Sequence, residues 1–231
     1  MIDSSFLKGV ELFADLSEHD LDLLARNMYR RRYARGQVIF VKGEPATSMY
    51  VVEQGRVKIL ITSEQGEELI IRVLGVGDSF GVLAPLGGVK RWSDAVAQTS
   101  SVLLVLHRDD FMPFVTACPQ IAARLWSVLD AWLRRLAELA GNEAFLDIES
   151  RLARVLLDLS DAESRPGEVD LVISPNMTQS ELAGMIGATR RSVNKWLRCY
   201  QRQGLIRFEE GRITLVQPEL LRRRISSQGS Q

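Results

Sequence analysis

Apolar residues change their spacing along the chain, and each change marks a different kind of element. From Phe6 to Arg30 the pattern is that of short helices, with Ser17-Glu18-His19-Asp20 as a cap region before Leu21, Leu23 and Leu24. After Arg30, short runs rich in β-branched and aromatic residues take over: Val38-Ile39-Phe40-Val41, Met49-Tyr50-Val51-Val52 and Val57-Lys58-Ile59-Leu60-Ile61. Turn-forming sets divide them, namely Lys42-Gly43-Glu44-Pro45, Glu53-Gln54-Gly55 and Glu64-Gln65-Gly66. Further strands are predicted at residues 69–74, 94–97 and 102–106. Short strands at even spacing with glycine turns predict an antiparallel sandwich or barrel.

Pro119 opens a different regime. Ile121, Leu125, Val128, Leu129, Trp132, Leu133, Leu136 and Leu139 recur at spacings of three and four. They predict an amphipathic helix of roughly 22 residues, free of Gly and Pro until Gly141. Its apolar stripe needs a partner, either the chain's own strands or the same helix of a second chain. Another helix is predicted at Ile148–Ser160, followed by a polar loop over 161–170 that contains Pro166-Gly167. The expected division is therefore residues 1–118 as a β-barrel domain, 119–146 as a dimerisation helix and hinge, and 147–231 as a C-terminal domain.

The richest segment is Thr178 to Ile206. Thr178 with Glu181 three residues on is a capping box that starts a helix. Leu182, Ala183 and Ile186 supply its inner face, and Gly187 ends it in a tight turn. Thr189 can cap a second helix, on which Val193 and Leu197 at i and i+4 face the first. Arg190, Arg191, Asn194, Lys195 and Arg198 point elsewhere. Between Thr189 and Arg207 there are six basic side chains and no acidic one. Such a face suits the major groove of DNA, where arginine forks match guanine and asparagine pairs with adenine. A solvated charged helix is the bland alternative, but cap, small residue, glycine turn and second cap occur here in helix-turn-helix order. The expected DNA-contacting set is Thr178, Gln179, Thr189, Arg190, Arg191, Ser192, Asn194, Lys195 and Arg198. Beyond it, Leu205–Phe208 and Arg212–Leu215 flank Glu209-Glu210-Gly211 as a β-hairpin wing.

Composition narrows the choice of function. The 231 residues carry 29 basic and 29 acidic side chains, so the nucleic-acid signal is local and not global. No apolar run approaches the roughly 18 residues that span a bilayer, and the N-terminal residues lack a signal-peptide pattern. No membrane partner and a cytoplasmic location are expected. The two cysteines, Cys118 and Cys199, and two histidines, His19 and His107, are isolated, which fits neither a cysteine cluster nor a metal site. No cofactor is expected. No nucleophile–base set stands out either, so an enzyme is not expected.

These residues resemble the Crp/Fnr superfamily of bacterial transcription regulators along nearly the whole chain. Gly77-Asp78-Ser79-Phe80-Gly81, with the later Arg91, resembles the phosphate-binding cassette of cyclic-nucleotide domains. The resemblance implies an α+β fold: an N-terminal antiparallel β-barrel of the jelly-roll type, a long dimerisation helix and a C-terminal winged helix-turn-helix. It also implies a homodimer, double-stranded DNA and RNA polymerase as partners, and an effector pocket lined by Gly81, Val82, Leu83, Arg91, Trp92 and Leu136.

Departures from the family pattern concern the effector. Cyclic-AMP-responsive members carry glutamate where this chain has Val82, serine or threonine where it has Trp92, and hydroxyls where it has Leu136 and Ala137. Each hydrogen bond so lost leaves a buried polar group unpaired, at about 1–3 kcal/mol. Three such losses would erase most micromolar binding, so cyclic AMP is not expected to bind in the usual mode. Arg91 either holds another anion, such as a cyclic dinucleotide, or is a surface arginine near a loop. The reading helix departs as well. Arg190-Arg191 and Lys195 replace an Arg-Glu start followed by arginine, and arginine cannot accept from cytosine as glutamate does. A different half-site follows. The alternative function is a cyclic-nucleotide-binding regulatory module acting through protein contacts, which lacks the steep salt dependence of DNA binding.

Overall fold

Small capping residues open the N-terminal helices. The Asp3 side chain accepts from the Ser5 amide at the start of α1 (Ser4–Lys8), and Ser17 Oγ accepts from the Asp20 amide at the start of α2 (Glu18–Asn27). A 3₁₀ turn, Glu11–Phe13, lies between them. The computed structural model describes residues 2–83, 90–163, 171–173, 177–209 and 212–226. It divides into two units, Met1–Ile61 with Ile71–Leu136, and Thr62–Ile70 with Ala137–Gln231.

The first unit continues through eight strands: β1 (Tyr29–Tyr33), β2 (Val38–Phe40), β3 (Ser48–Gln54), β4 (Val57–Thr62), β5 (Glu68–Leu74), β6 (Ser79–Phe80), β7 (Asp94–Ala97) and β8 (Ser101–His107). The tip of the β4–β5 hairpin belongs to the second unit. The strands form two four-stranded sheets, ordered β1-β8-β3-β6 and β2-β7-β4-β5. The expected barrel is thus a pair of open sheets rather than a closed cylinder, because the outer strands of each order have one neighbour.

Alternation along β8 shows why its sequence reads as an unbroken apolar run. Leu103 and Val105 enter one core with Tyr33, Phe40, Ile59 and Phe80. Leu104 and Leu106 enter the other, with Leu7, Phe13, Leu24 and Phe111. Both faces are covered, so neither can be polar.

Three elements of this unit were not anticipated: β1, the two-residue β6 and a helix, α3 (Arg108–Ala117). β1 is Tyr-Arg-Arg-Arg-Tyr, with its arginines exposed, and it exists because it pairs along β8 from Tyr29–Val105 to Tyr33–Ser101. α3 contains Pro113. Pro113 is the sixth residue of this helix, so the helix gives up the one amide bond that this position would make to the Asp109 carbonyl. α4 (Pro119–Phe145) is 27 residues long, more than expected, because it runs through Gly141. Its Ile121, Leu125 and Val128 are buried in the chain's own core, whereas Trp126 and Leu133 are exposed.

In the second unit, α5 (Ile148–Glu163) extends three residues into the predicted loop. The remainder of that loop, with Pro166-Gly167, lies outside the described residues. Next come β9 (Leu171–Ile173), α6 (Gln179–Met185), α7 (Arg190–Arg202), β10 (Ile206–Glu209), β11 (Arg212–Leu215) and α8 (Pro218–Ser226). β10 and β11 are the anticipated hairpin, and β9 adds a third strand in the order β10-β11-β9. The turn residues Glu210 and Gly211 lie outside the described residues. Leu152, Leu156, Leu182, Ile186, Val193, Leu197, Tyr200 and Leu215 share one core. Among the described residues no helix is long and apolar enough to cross a membrane.

Candidate nucleic-acid interface and effector cavity

The capping box forms as its spacing requires. Thr178 Oγ1 accepts from the Glu181 amide at 3.1 Å, and Glu181 Oε2 accepts from the Thr178 amide at 2.7 Å. Thr178 Oγ1 also donates to the same carboxylate at 2.8 Å. After α6 the chain turns through Gly187, whose φ of +60° is left-handed and costs a β-carbon roughly 1–2 kcal/mol. Thr189 then caps α7, its Oγ1 accepting from the Ser192 amide at 3.2 Å and lying 3.0 Å from the Ser192 hydroxyl.

With Val193, Leu197 and Tyr200 turned inward, the opposite side of α7 faces outward. Tyr200 anchors the inner side, donating from its hydroxyl to the Glu149 carbonyl at 2.7 Å. Burial pushes this phenol well above the usual tyrosine range. Arg190, Arg191, Asn194, Lys195, Arg198, Gln201 and Arg202 line one continuous outer surface. Arg190, Arg191, Lys195, Arg198, Gln201 and Arg202 are exposed. None of these five cations is ion-paired with a carboxylate among the described residues. Asn194 is half-buried and donates from Nδ2 to Gln179 Oε1 at 3.0 Å, which ties the outer face of α7 to the first turn of α6. Lys195 Nζ lies 5.4 Å from the centre of the Trp196 ring.

The structure therefore brings Arg190, Arg191, Asn194, Lys195 and Arg198 together. Thr178, Thr189 and Ser192 sit at the helix starts, occupied with capping, and Gln179 holds Asn194. Gln201 was missed, although its position seven residues after Asn194 continues the same helical stripe.

The first unit holds a cavity of about 290 Å³. All six anticipated residues line it: Gly81, Val82, Leu83, Arg91, Trp92 and Leu136. Phe40, Phe80, Leu129 and Trp132 do so too, and were not anticipated because three different segments supply them. Arg91 is 7% exposed, which overturns its reading as a surface residue. Its guanidinium donates to the Ser48 carbonyl at 2.5 Å and the Gly81 carbonyl at 3.3 Å, and lies 4.1 Å from the centre of the Phe40 ring. Burial lowers its pKa. Gly81 has φ +69°, and a β-carbon there would meet Arg91 Nη1 at 2.6 Å, so the arginine's placement requires glycine. Trp92 and Trp132 meet edge to face at 5.5 Å.

Comparison with known proteins gives the same two modules. The cyclic nucleotide-binding domain family matches residues 30–117, and the Crp-like helix-turn-helix domain family matches residues 150–224. The CRP-like cAMP-activated global transcriptional regulator of Mycobacterium tuberculosis is 29% identical over 92% of this chain and 95% of its own. A CRP/FNR-family transcriptional regulator from Thermus thermophilus superposes with a TM-score of 0.71 at 27% identity, covering 87% of this chain and all of the other. The c-di-GMP responsive global regulator CLP of Xanthomonas campestris gives 0.75 at 24% identity, over 86% of this chain and 99% of its own, a likeness of fold. A nucleotide-binding-type double sheet followed by a Crp-like helix-turn-helix, in that order along nearly the full length of its relatives, makes this chain a member of the Crp/Fnr superfamily of transcription regulators.

Proposed function

We propose that the protein is a homodimeric, sequence-specific transcription regulator that reads a near-palindromic DNA site with α7. The outward stripe of cations on α7, without carboxylate partners among the described residues, carries this reading. Exposed arginines beside an amide at the start of a helix supply base-edge contacts in the major groove. Arg190, Arg191, Asn194 and Lys195 occupy that region. Arg198 and Arg202, a turn or more further along, meet phosphates. Amides of the first turns, positioned by Thr178, Thr189 and Ser192, meet phosphates as well.

The dimer forms through α4. Trp126 and Leu133 are exposed and seven residues apart, the spacing of one helical seam, and a second copy of the helix would cover them. Two-fold symmetry then places the reading helices about 34 Å apart, one turn of DNA. Residues 1–118 form the sensory domain, 119–146 the dimerisation helix and hinge, and 147–231 the DNA-binding domain. Contact with RNA polymerase and a cytoplasmic location follow from the role.

Cyclic AMP is not the effector in its usual mode. Val82 cannot accept a ribose hydroxyl, and Trp92 and Leu136 offer no acceptor or hydroxyl in place of those lost.

The test is selection of bound sequences from a random duplex pool, followed by anisotropy titration of the selected site. Arg190→Ala is expected to weaken that site by about 1–3 kcal/mol and to relax one base position. An unchanged binding motif in the variant counts against direct readout by Arg190. Absence of salt-dependent duplex binding by the wild-type chain favours a module that acts through protein contacts.

A further inference from the structure

The cavity of the first unit is oddly matched to a nucleotide. Among the described residues its charged lining groups are Arg91 and Lys90, both cationic, and Ser93 supplies the one side-chain hydroxyl. The remaining wall is apolar and includes Phe40, Ile59, Phe80, Val82, Trp92 and Trp132. Purine and ribose would bring several donors and acceptors into this space and find almost no partners. A cyclic dinucleotide, with two bases and two phosphates, exceeds a volume of about 290 Å³, which is at the lower edge of small-molecule sites, roughly 300–1,000 Å³.

Cation placement fits a ligand with one anionic end. Arg91 is buried with no carboxylate in ion-pair distance among the described residues. It donates to two backbone carbonyls and interacts with the Tyr50 hydroxyl, while its Nε has no hydrogen-bond partner among the described residues. Lys90 is exposed, also lines the cavity and is next to Arg91 in sequence. Beyond the two cations the wall is aromatic and aliphatic, which favours a dry, apolar occupant.

We infer that the effector is a compact apolar or aromatic monocarboxylate, its carboxylate facing Arg91 and Lys90 and its hydrocarbon body lying against Phe80, Trp92 and Trp132. This names the ligand class of the regulator proposed above and rests on that role only for its consequence at DNA. Binding itself is independent of it.

The experiment uses the full-length protein, titrated calorimetrically with decanoate, 4-phenylbutyrate, the primary amide of each, and cyclic AMP. Tryptophan fluorescence serves as the second readout. At least one carboxylate is expected to bind with a Kd of roughly 10–300 µM. Its amide should bind about tenfold or more weakly, because the charge-assisted bonds are lost. Arg91→Gln should abolish this preference for the acid. Should that variant fail to fold, Lys90→Glu, at an exposed position, should lower carboxylate affinity several-fold at low salt and leave the amide unchanged.

Three results would overturn the inference: no carboxylate binding below about 1 mM, amides binding as well as acids, or cyclic AMP binding more tightly than either carboxylate. Duplex titration of the same preparation separates the two proposals. Carboxylate binding without DNA binding defeats the regulator role alone, and DNA binding without carboxylate binding defeats the ligand class alone.

Discussion

Removing Arg198 should change the salt dependence of DNA binding by a predictable amount. Arg198 is exposed on the outer stripe of α7, two turns after Arg191, and has no carboxylate partner among the described residues. In the proposed function its distance from the helix start assigns it to phosphate and not to a base edge. Each phosphate neutralised releases counterions and contributes about 0.9 to the slope of log K against log salt. A two-fold dimer carries two copies, so Arg198→Ala should make the slope shallower by about 1.8. At about 0.1 M salt the same two contacts amount to about 1.8 log units, so affinity should fall roughly 60-fold. The loss should be equal for the selected site and for an unrelated duplex, because phosphate contacts carry no sequence information. Fluorescence anisotropy over a series of salt concentrations measures both quantities. An unchanged slope, or a loss confined to the selected site, would refute the assignment of Arg198 to phosphate.

Three further outcomes test the scaffold. Thr178→Ala removes the acceptor of the capping box and should destabilise the second unit by about 1–2 kcal/mol in urea unfolding. Combined with Glu181→Ala the two losses should be less than additive, since each residue serves the other. Gly187→Ala should cost about 1–2 kcal/mol through its left-handed backbone, with no steric clash needed to explain it. Trp126→Glu places a charge on the exposed seam of α4, and sedimentation should show a shift from dimer toward monomer with the helical content retained.

The helix-turn-helix was legible in the sequence because its signals are local. Thr178, Glu181, Gly187 and Thr189 each act within four residues, through a cap or a backbone angle, and need no distant partner. The alternating strands and the apolar face of α4 were legible for the same reason, since a periodic pattern lies within one element. Tertiary structure alone decided the rest. β1 is a strand of exposed arginines held by the ladder it makes with β8, more than 60 residues away, and by Tyr33 in the core. α4 runs through Gly141 because a single glycine costs only about 1 kcal/mol inside a helix. Arg91 looked free to be on the surface, yet Phe40 and the carbonyls of Ser48 and Gly81 draw it inward. The apolar character of the cavity in the first unit likewise comes from side chains on separate strands and on α4. Their convergence is a property of packing, and no short stretch of sequence encodes it.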